Sequence, residues 1–281
     1  MIIVRLSDGL GNQMFQYAMG LALARRRGVP LRLDPSAYQR DPKRRFALDR
    51  LQVEANFVSA EEAAAVLIRP HDRGHPWWDQ PVVVEPHFHY AENIWEVPTA
   101  CYLVGYWQSE RYFAAVAAEL RERFVPPAPL EGRRAELAAE IAAVSSVALH
   151  FRRGDYVNDP RVSRLHGICS VDYYRAAILH VAARVPNPVF FVFSDEIEWV
   201  RHNLRLAFPM RLVDHGGEAV EDLRLMSLCR HHILANSSFG WWGAWLGRHD
   251  GQQVCAPHRW FAGYSHDTRD LIPAAWVRLP G

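Results

Sequence analysis

Cysteine is scarce in this 281-residue chain: Cys101, Cys169, Cys229 and Cys255 stand far apart, with no Cys-x-x-Cys and no Cys/His pattern. That argues against a zinc ribbon or a disulfide framework and predicts reduced thiols in a cytosolic protein. No uninterrupted apolar run approaches the ~20 residues that span a bilayer. The opening Met1-Ile2-Ile3-Val4-Arg5-Leu6 is too short for the apolar part of a secretory signal and runs straight into a glycine loop. The expectation is a soluble, cytoplasmic protein with at most peripheral contact at the inner face of a membrane. Neither sign of charge is in excess: the formal net charge of +1 points to no nucleic-acid partner and no acidic membrane, so any anion site must be local. The chain has no GxxxxGK[ST] loop, which weighs against phosphoryl transfer, and no complete GxGxxG fingerprint. It also has no Asp-x-Asp of the kind that holds a metal–diphosphate. Internal repeats and low-complexity segments are absent.

What is present suffices for a large core: 49% of residues are hydrophobic and 22% charged. Ile2 to Leu6 reads as a buried strand. A glycine loop follows, then a helix closing on Arg25, Arg26, Arg27 and Gly28, then a strand Leu31 to Asp34. This order begins a parallel α/β sheet. Residues 35 to 98 are irregular apart from a helix Ser59 to Leu67, opened by a capping box of Ser59 and Glu62. A strand is expected over Cys101 to Trp107 and a helix over Glu110 to Phe124. The run Val125-Pro126-Pro127-Ala128-Pro129 cannot continue that helix and predicts a domain boundary, giving 1–127 and 128–281. After a helix over Leu130 to Ala143, strands are expected at Val147–Phe151, Val189–Ser194, Arg211–Val213, His232–Ala235 and, last, Gln253–Ala256. They alternate with helices at Val171–Arg184, Glu196–Ala207, Val220–Cys229 and Phe239–Leu246. Two Rossmann-like α/β domains with parallel sheets facing an interdomain cleft is the simplest architecture, with ligands at the carboxyl ends of strands.

The polar clusters all follow predicted strands. In Leu149-His150-Phe151-Arg152-Arg153-Gly154-Asp155-Tyr156, two guanidinium forks suit phosphate, and a nearby carboxylate suits proton chemistry beside a bound anion. The plainer reading of Arg-Gly-Asp is a surface turn with a local ion pair. Gly9-Leu10-Gly11-Asn12-Gln13 is a glycine turn that lets backbone approach a ligand, though such turns are more often structural. In Phe193-Ser194-Asp195-Glu196, Asp195 either accepts from a ribose or guanine edge or caps the next helix. In Asn236-Ser237-Ser238-Phe239, two serines either cap a helix or complete an anion nest. Trp241, Trp242 and Trp245 are read as packing. Tyr106 and Trp107 line a sugar site or simply fill the core.

Together with Gly105-Tyr106-Trp107-Gln108-Ser109 and Leu225-Met226-Ser227-Leu228-Cys229, these segments resemble the α-1,2-fucosyltransferases of glycosyltransferase family 11, in the family's order and over nearly the whole chain. One departure is Gly240, where the family usually has serine. The resemblance implies a GT-B fold, a GDP-β-L-fucose donor, no metal cofactor and inversion at the anomeric carbon. It implies that Arg152 holds the β-phosphate, with Arg153 in support. The Ser237/Ser238 turn would take the other phosphate oxygens, Asp195 with His150 the guanosine, and Asn12 the pyrophosphate. Gly11, Ser194, Asn236 and Phe239 complete the expected donor set, and Tyr106, Trp107 and Gln108 the acceptor set. Asp155 is the expected base, with Asp159 and Asp8 as alternatives, or else Asp155 pairs with Arg153 and steadies its fork. The usual acceptor is a galactosyl oligosaccharide or glycolipid, and Arg69 to Gln80 and Asn158 to Cys169 are irregular loops expected near it. The rival readings are a same-fold enzyme with another nucleotide-sugar donor and an inactive carbohydrate- or nucleotide-binding module.

Overall fold

In the computed structural model, all residues are described except 42, 69–70, 73, 264–265 and 281. The chain divides into two compact units, Met1–Pro127 with Asp267–Pro273, and Ala128–His266 with Ala274–Gly281. The short late segment therefore belongs to the first unit, which a single cut after residue 127 does not foresee. Asp270 ties it there: its carboxylate accepts from the Tyr90 amide at 3.0 Å and from Arg111 Nη1 at 3.1 Å.

The first unit holds β1 (Ile2–Arg5), α1 (Leu10–Arg27), β2 (Leu31–Asp34), α2 (Ala60–Leu67), β3 (Val82–Val84), β4 (Cys101–Val104) and α3 (Ala117–Arg123). Its strands run parallel in the order β2-β1-β4-β3. Helix α1 stops at Gly28, whose left-handed backbone (φ 64°) turns its N–H back onto the Ala24 and Arg25 carbonyls. Most of α1 is buried, including the side chains of Gln13 and Gln16. Buried amides need partners. Gln13 donates to the Asp8 and Arg45 carbonyls, and Gln16 bonds Ser7 and the Gly105 carbonyl. These two glutamines pin the loops at the sheet's carboxyl edge. The Ser59–Glu62 capping box forms as expected.

Two expectations for this unit fail. Strand β4 stops at Val104, because Gly105 starts a turn that carries Trp107 into left-handed backbone at φ 57°. The single helix over Glu110 to Phe124 is instead two 3₁₀ turns followed by α3. Adjacent Tyr112 and Phe113 are both buried, and one face of an α-helix cannot bury consecutive rings. Strand β3 lay unseen because only three residues form it.

The second unit holds α4 (Gly132–Ala142), β5 (Ser145–Phe151), α5 (Gly154–Asn158), α6 (Pro160–His166), α7 (Val171–Ala182), β6 (Pro188–Ser194), α8 (Ile197–Asn203), β7 (Met210–Leu212), α9 (Ala219–Leu228), β8 (His231–Ile233), α10 (Ser238–Leu246), β9 (Val254–Pro257) and β10 (Val277–Leu279). The sheet is parallel throughout, in the order β10-β9-β8-β5-β6-β7. Alternate residues of β5 pack into opposite layers: Val147, Leu149 and Phe151 with α7, and Ala148 with Leu137, Leu225 and Met226. The Tyr173 hydroxyl of α7 donates to the carbonyls of Leu234, at 2.6 Å, and Cys255, at 3.2 Å. Trp241, Trp242 and Trp245 are buried, and their rings meet one another. Asn158 to Cys169, read as irregular, contains α6, with Pro160 in its first turn and Asp159 capping the Arg161 amide. Strand β10 follows the one read as last.

Candidate active site

The order of the second sheet runs outward from β5 through β6 and β7 on one side, and through β8, β9 and β10 on the other. Loops leaving β5 and β8 therefore diverge, which opens the crevice where doubly wound sheets bind ligands. Arg152 and Arg153 follow β5, and Asp155 lies in the first turn of α5. The turn after β8 carries Asn236 and Ser237 into α10, and β6, on the other flank of β5, ends at Ser194 and Asp195.

Arg152 lies between two carboxylates: Nη2 is 2.6 Å from Asp155 Oδ1 and Nη1 is 2.9 Å from Asp195 Oδ2. Its guanidinium also sits 5.5 Å from the Tyr156 ring centroid. Asp155 thus pairs with Arg152, and not with Arg153 as the structural alternative had it. Arg153 is clamped between Glu196, at 3.1 Å, and the ring of Trp199, 3.5 Å from its centroid, while Asn158 holds the other Glu196 oxygen. Two guanidiniums thus face three carboxylates. Asp195 does not cap α8; its Oδ1 accepts from the Arg153 amide at 2.9 Å, at the start of α5. The Ser194 hydroxyl accepts from the Glu196 amide. Sequence reading overlooked Trp199 and Asn158, neither of which carries a motif.

His150 is buried without a hydrogen-bond partner at Nδ1. Burial foremost, with Arg152 adding to it against Asp195, pushes its pKa down to about 4, so the ring is neutral. At Gly240 the space is tight: a Cβ there would lie 2.5 Å from His150 Nδ1. Ser237 stands at the N-cap of α10, yet its side chain makes no capping bond, so the plain capping role fails for it. Asn236 is almost fully buried. Its Nδ2 donates to the carbonyls of His166 at 2.9 Å and Trp260 at 3.1 Å, and its own carbonyl accepts from the Tyr156 hydroxyl. Its side-chain amide thereby joins the loops that carry His166 and Trp260. Phe239 packs its ring against His150 at 6.0 Å.

The first unit has its own cluster at the carboxyl ends of β1, β3 and β4. Tyr106 Oη donates to Asp8 Oδ2 at 2.9 Å, and Gln108 Nε2 donates to Asn12 Oδ1 at 2.8 Å, next to Gly11. Asp8, like Trp107, has left-handed backbone, at φ 62°. Trp107, expected in the acceptor set, is fully buried against Tyr112. The residue that sequence reading missed here is Glu85, directly after β3. It accepts from the amides of Tyr106 at 2.6 Å and Trp107 at 3.0 Å, and burial pushes its carboxyl up to about 7 against the lowering effect of those bonds. Its signal was the run Val82-Val83-Val84 ending in a carboxylate. Arg69 and Arg73 of the polar loop lie outside the described residues. Among the described residues, no cluster of three or more His, Cys, Asp or Glu could hold a metal, and no helix is long and apolar enough to cross a membrane.

Comparison with known proteins fits these features. An alpha-1,2-colitosyltransferase of Escherichia coli is 35% identical, covering 99% of this chain and 98% of that protein. The O-antigen biosynthesis glycosyltransferase WbnK of Escherichia coli is 29% identical, covering 98% and 99%. Among solved structures, Arabidopsis thaliana FUT1 in complex with GDP aligns over 91% of this chain and 69% of that one, at 13% identity and a TM-score of 0.49. The model of glycosyl transferase family 11 matches residues 90–279, a span that includes the Arg152 loop and the turn into α10. With its strand-end arginines and its full-length relatives, the chain belongs to glycosyl transferase family 11.

Proposed function

We propose that the chain transfers L-fucose from GDP-β-L-fucose, with inversion and without a metal, to the 2-hydroxyl of a galactosyl acceptor on an oligosaccharide or glycolipid. The observation that carries this reading is that Arg152, after β5, and the start of α10, after β8, follow neighbouring parallel strands at the strand-order reversal of the six-stranded sheet. Cleaving the bond between the sugar's anomeric carbon and phosphate leaves negative charge on the diphosphate. Preorganised donors aimed at that charge supply the main rate enhancement. The Arg152 fork and the first amides of α10 are such donors. Arg153, held by Glu196 and Trp199, steadies the loop. When phosphate takes Nη2 of Arg152, the Asp155 carboxylate is released from that contact. It then accepts the proton of the acceptor hydroxyl. The hydroxyl oxygen bonds the anomeric carbon from the opposite face, and the electrons of the broken bond leave with GDP. Asp159 is committed to capping α6, and Asp8 to the Tyr106 hydroxyl.

A second reading changes only the donor: the likeness to an alpha-1,2-colitosyltransferase favours a colitosyl group in place of fucosyl. The test is a screen of GDP-fucose, GDP-colitose and other nucleotide sugars against galactosyl acceptors, with and without a chelator, followed by linkage analysis of the product. Transfer from GDP-fucose to give a 1→2 linkage, unaffected by chelator, is expected. Preference for GDP-colitose selects the second reading. GDP binding with no turnover on any acceptor overturns both.

A further inference from the structure

The first unit carries a second built polar site, and its organising group is Glu85. Strands β1 and β4 are adjacent and parallel, so the loops that leave their carboxyl ends lie side by side. Two of the three described non-glycine residues with positive φ, Asp8 and Trp107, lie in these two loops. Such backbone costs on the order of 1–3 kcal/mol per residue and persists only where surrounding contacts enforce it. The enforcing contacts are visible. Both Glu85 oxygens grip consecutive amides, those of Tyr106 and Trp107. Gly105 permits the close approach, since a Cβ there would lie 2.4 Å from the Glu85 Cβ. Trp107, locked by this grip and by burial against Tyr112, fixes the direction in which Tyr106 leaves the chain. Tyr106 in turn holds Asp8 Oδ2, and no second donor engages the Asp8 carboxylate among the described residues.

We propose that Glu85 is a positioning residue for the acceptor: by clasping the Tyr106–Trp107 amides, it sets Tyr106 and Asp8 as a hydroxyl–carboxylate pair that hydrogen-bonds a sugar hydroxyl. This rests on the glycosyl-transfer reading above. A carboxylate offers acceptors to both amides. Glutamine offers one and turns an NH₂ toward the other, and aspartate is one methylene too short. In each variant the loop loosens where the acceptor sits, while the phosphate-binding arginines belong to the other unit.

The experiment measures transfer by the full chain from its GDP-sugar to a galactosyl acceptor, for the parent, Glu85→Gln, Glu85→Asp and Tyr106→Phe. Expected is a rise of tenfold or more in acceptor KM for both Glu85 variants and for Tyr106→Phe, with donor KM and GDP affinity within twofold of the parent. Slow donor hydrolysis without acceptor should stay unchanged. A folded Glu85 variant with parental acceptor KM overturns the inference, as does an equal loss in donor and acceptor terms. If the Glu85 variants do not fold, Tyr106→Phe decides alone, because it removes one hydroxyl and leaves the clasp intact; parental acceptor KM there overturns the proposal. Failure of the parent to transfer from any donor would instead count against the glycosyl-transfer reading.

Discussion

Gly240 offers a sharp test of how tightly the second unit is packed. A methyl group at this position meets the buried His150 ring at 2.5 Å from Nδ1, 3.2 Å from Cε1 and 3.3 Å from Cγ. Atoms in good contact stay near about 3.5 Å, so the ring or α10 must yield by several tenths of an ångström to 1 Å. The ring has little room, with Phe239 packed beside it and β5 behind it. Overpacking of this kind costs about 1–3 kcal/mol, and each kcal/mol lowers Tm by about 2–4 °C in a chain of roughly this size. Gly240→Ala should therefore melt about 2–12 °C below the parent, by calorimetry or circular dichroism. The cause is isolated by a double-mutant cycle with His150→Ala. His150→Ala alone is destabilising through the cavity it leaves, but adding Gly240→Ala to it should cost almost nothing, because the clashing ring is gone. A Gly240→Ala protein as stable as the parent refutes the reasoning, and so does an undiminished penalty in the His150→Ala background.

Other outcomes follow from the same structure. Arg152→Ala should lower kcat by about 100- to 1000-fold while the protein stays folded, and near-normal turnover in a GDP-sugar assay would remove this residue from the chemistry. Ser59→Ala deletes one half of a formed capping box and should cost about 1 kcal/mol in a denaturant melt, with activity retained; no change in the midpoint would contradict the geometry. Acidification should destabilise the fold through two buried neutral histidines. His150 is held down to about 4 and His232 to about 3, each chiefly by burial, while the unfolded chain takes protons near 6.5. Their contribution is full above pH 6.5 and is lost as pH falls through that value toward the folded-state pKa values, at up to about 1.4 kcal/mol per pH unit for each proton. Glu85 acts in the opposite sense: raised to about 7 from 4.5, it favours the fold at low pH and loses that contribution as pH rises toward 7. Two protons outweigh one, so Tm should fall between pH 6.5 and 4.5, and a flat or rising profile would contradict the assigned ring states.

The parallel α/β character was legible because hydrophobic runs such as Val189–Phe193 are bounded by polar turns, and because α1 announces its end with three arginines and a glycine. The arginine cluster was legible as residues but not as pairs. Nothing in the order Arg152, Arg153, Asp155 says which guanidinium meets the carboxylate; that depends on α5 starting at Gly154 and on Asp195 arriving from β6. Trp107 looked available because aromatic type does not reveal burial, and Asn236 because its three carbonyl partners lie in loops far away in sequence. Glu85 escaped notice because a three-residue strand leaves no periodicity to detect.

The return of Asp267–Pro273 to the first unit bears on how the molecule is made. Domains commonly fold from the amino end while synthesis continues. Here the amino-terminal half must wait for nearly the whole polypeptide to emerge before Asp270 can secure Tyr90 and Arg111. A nascent chain stalled ahead of residue 267 would hold a nearly finished sheet with one fastening open, and a gene cut at Pro127 would separate that fastening from the half it closes.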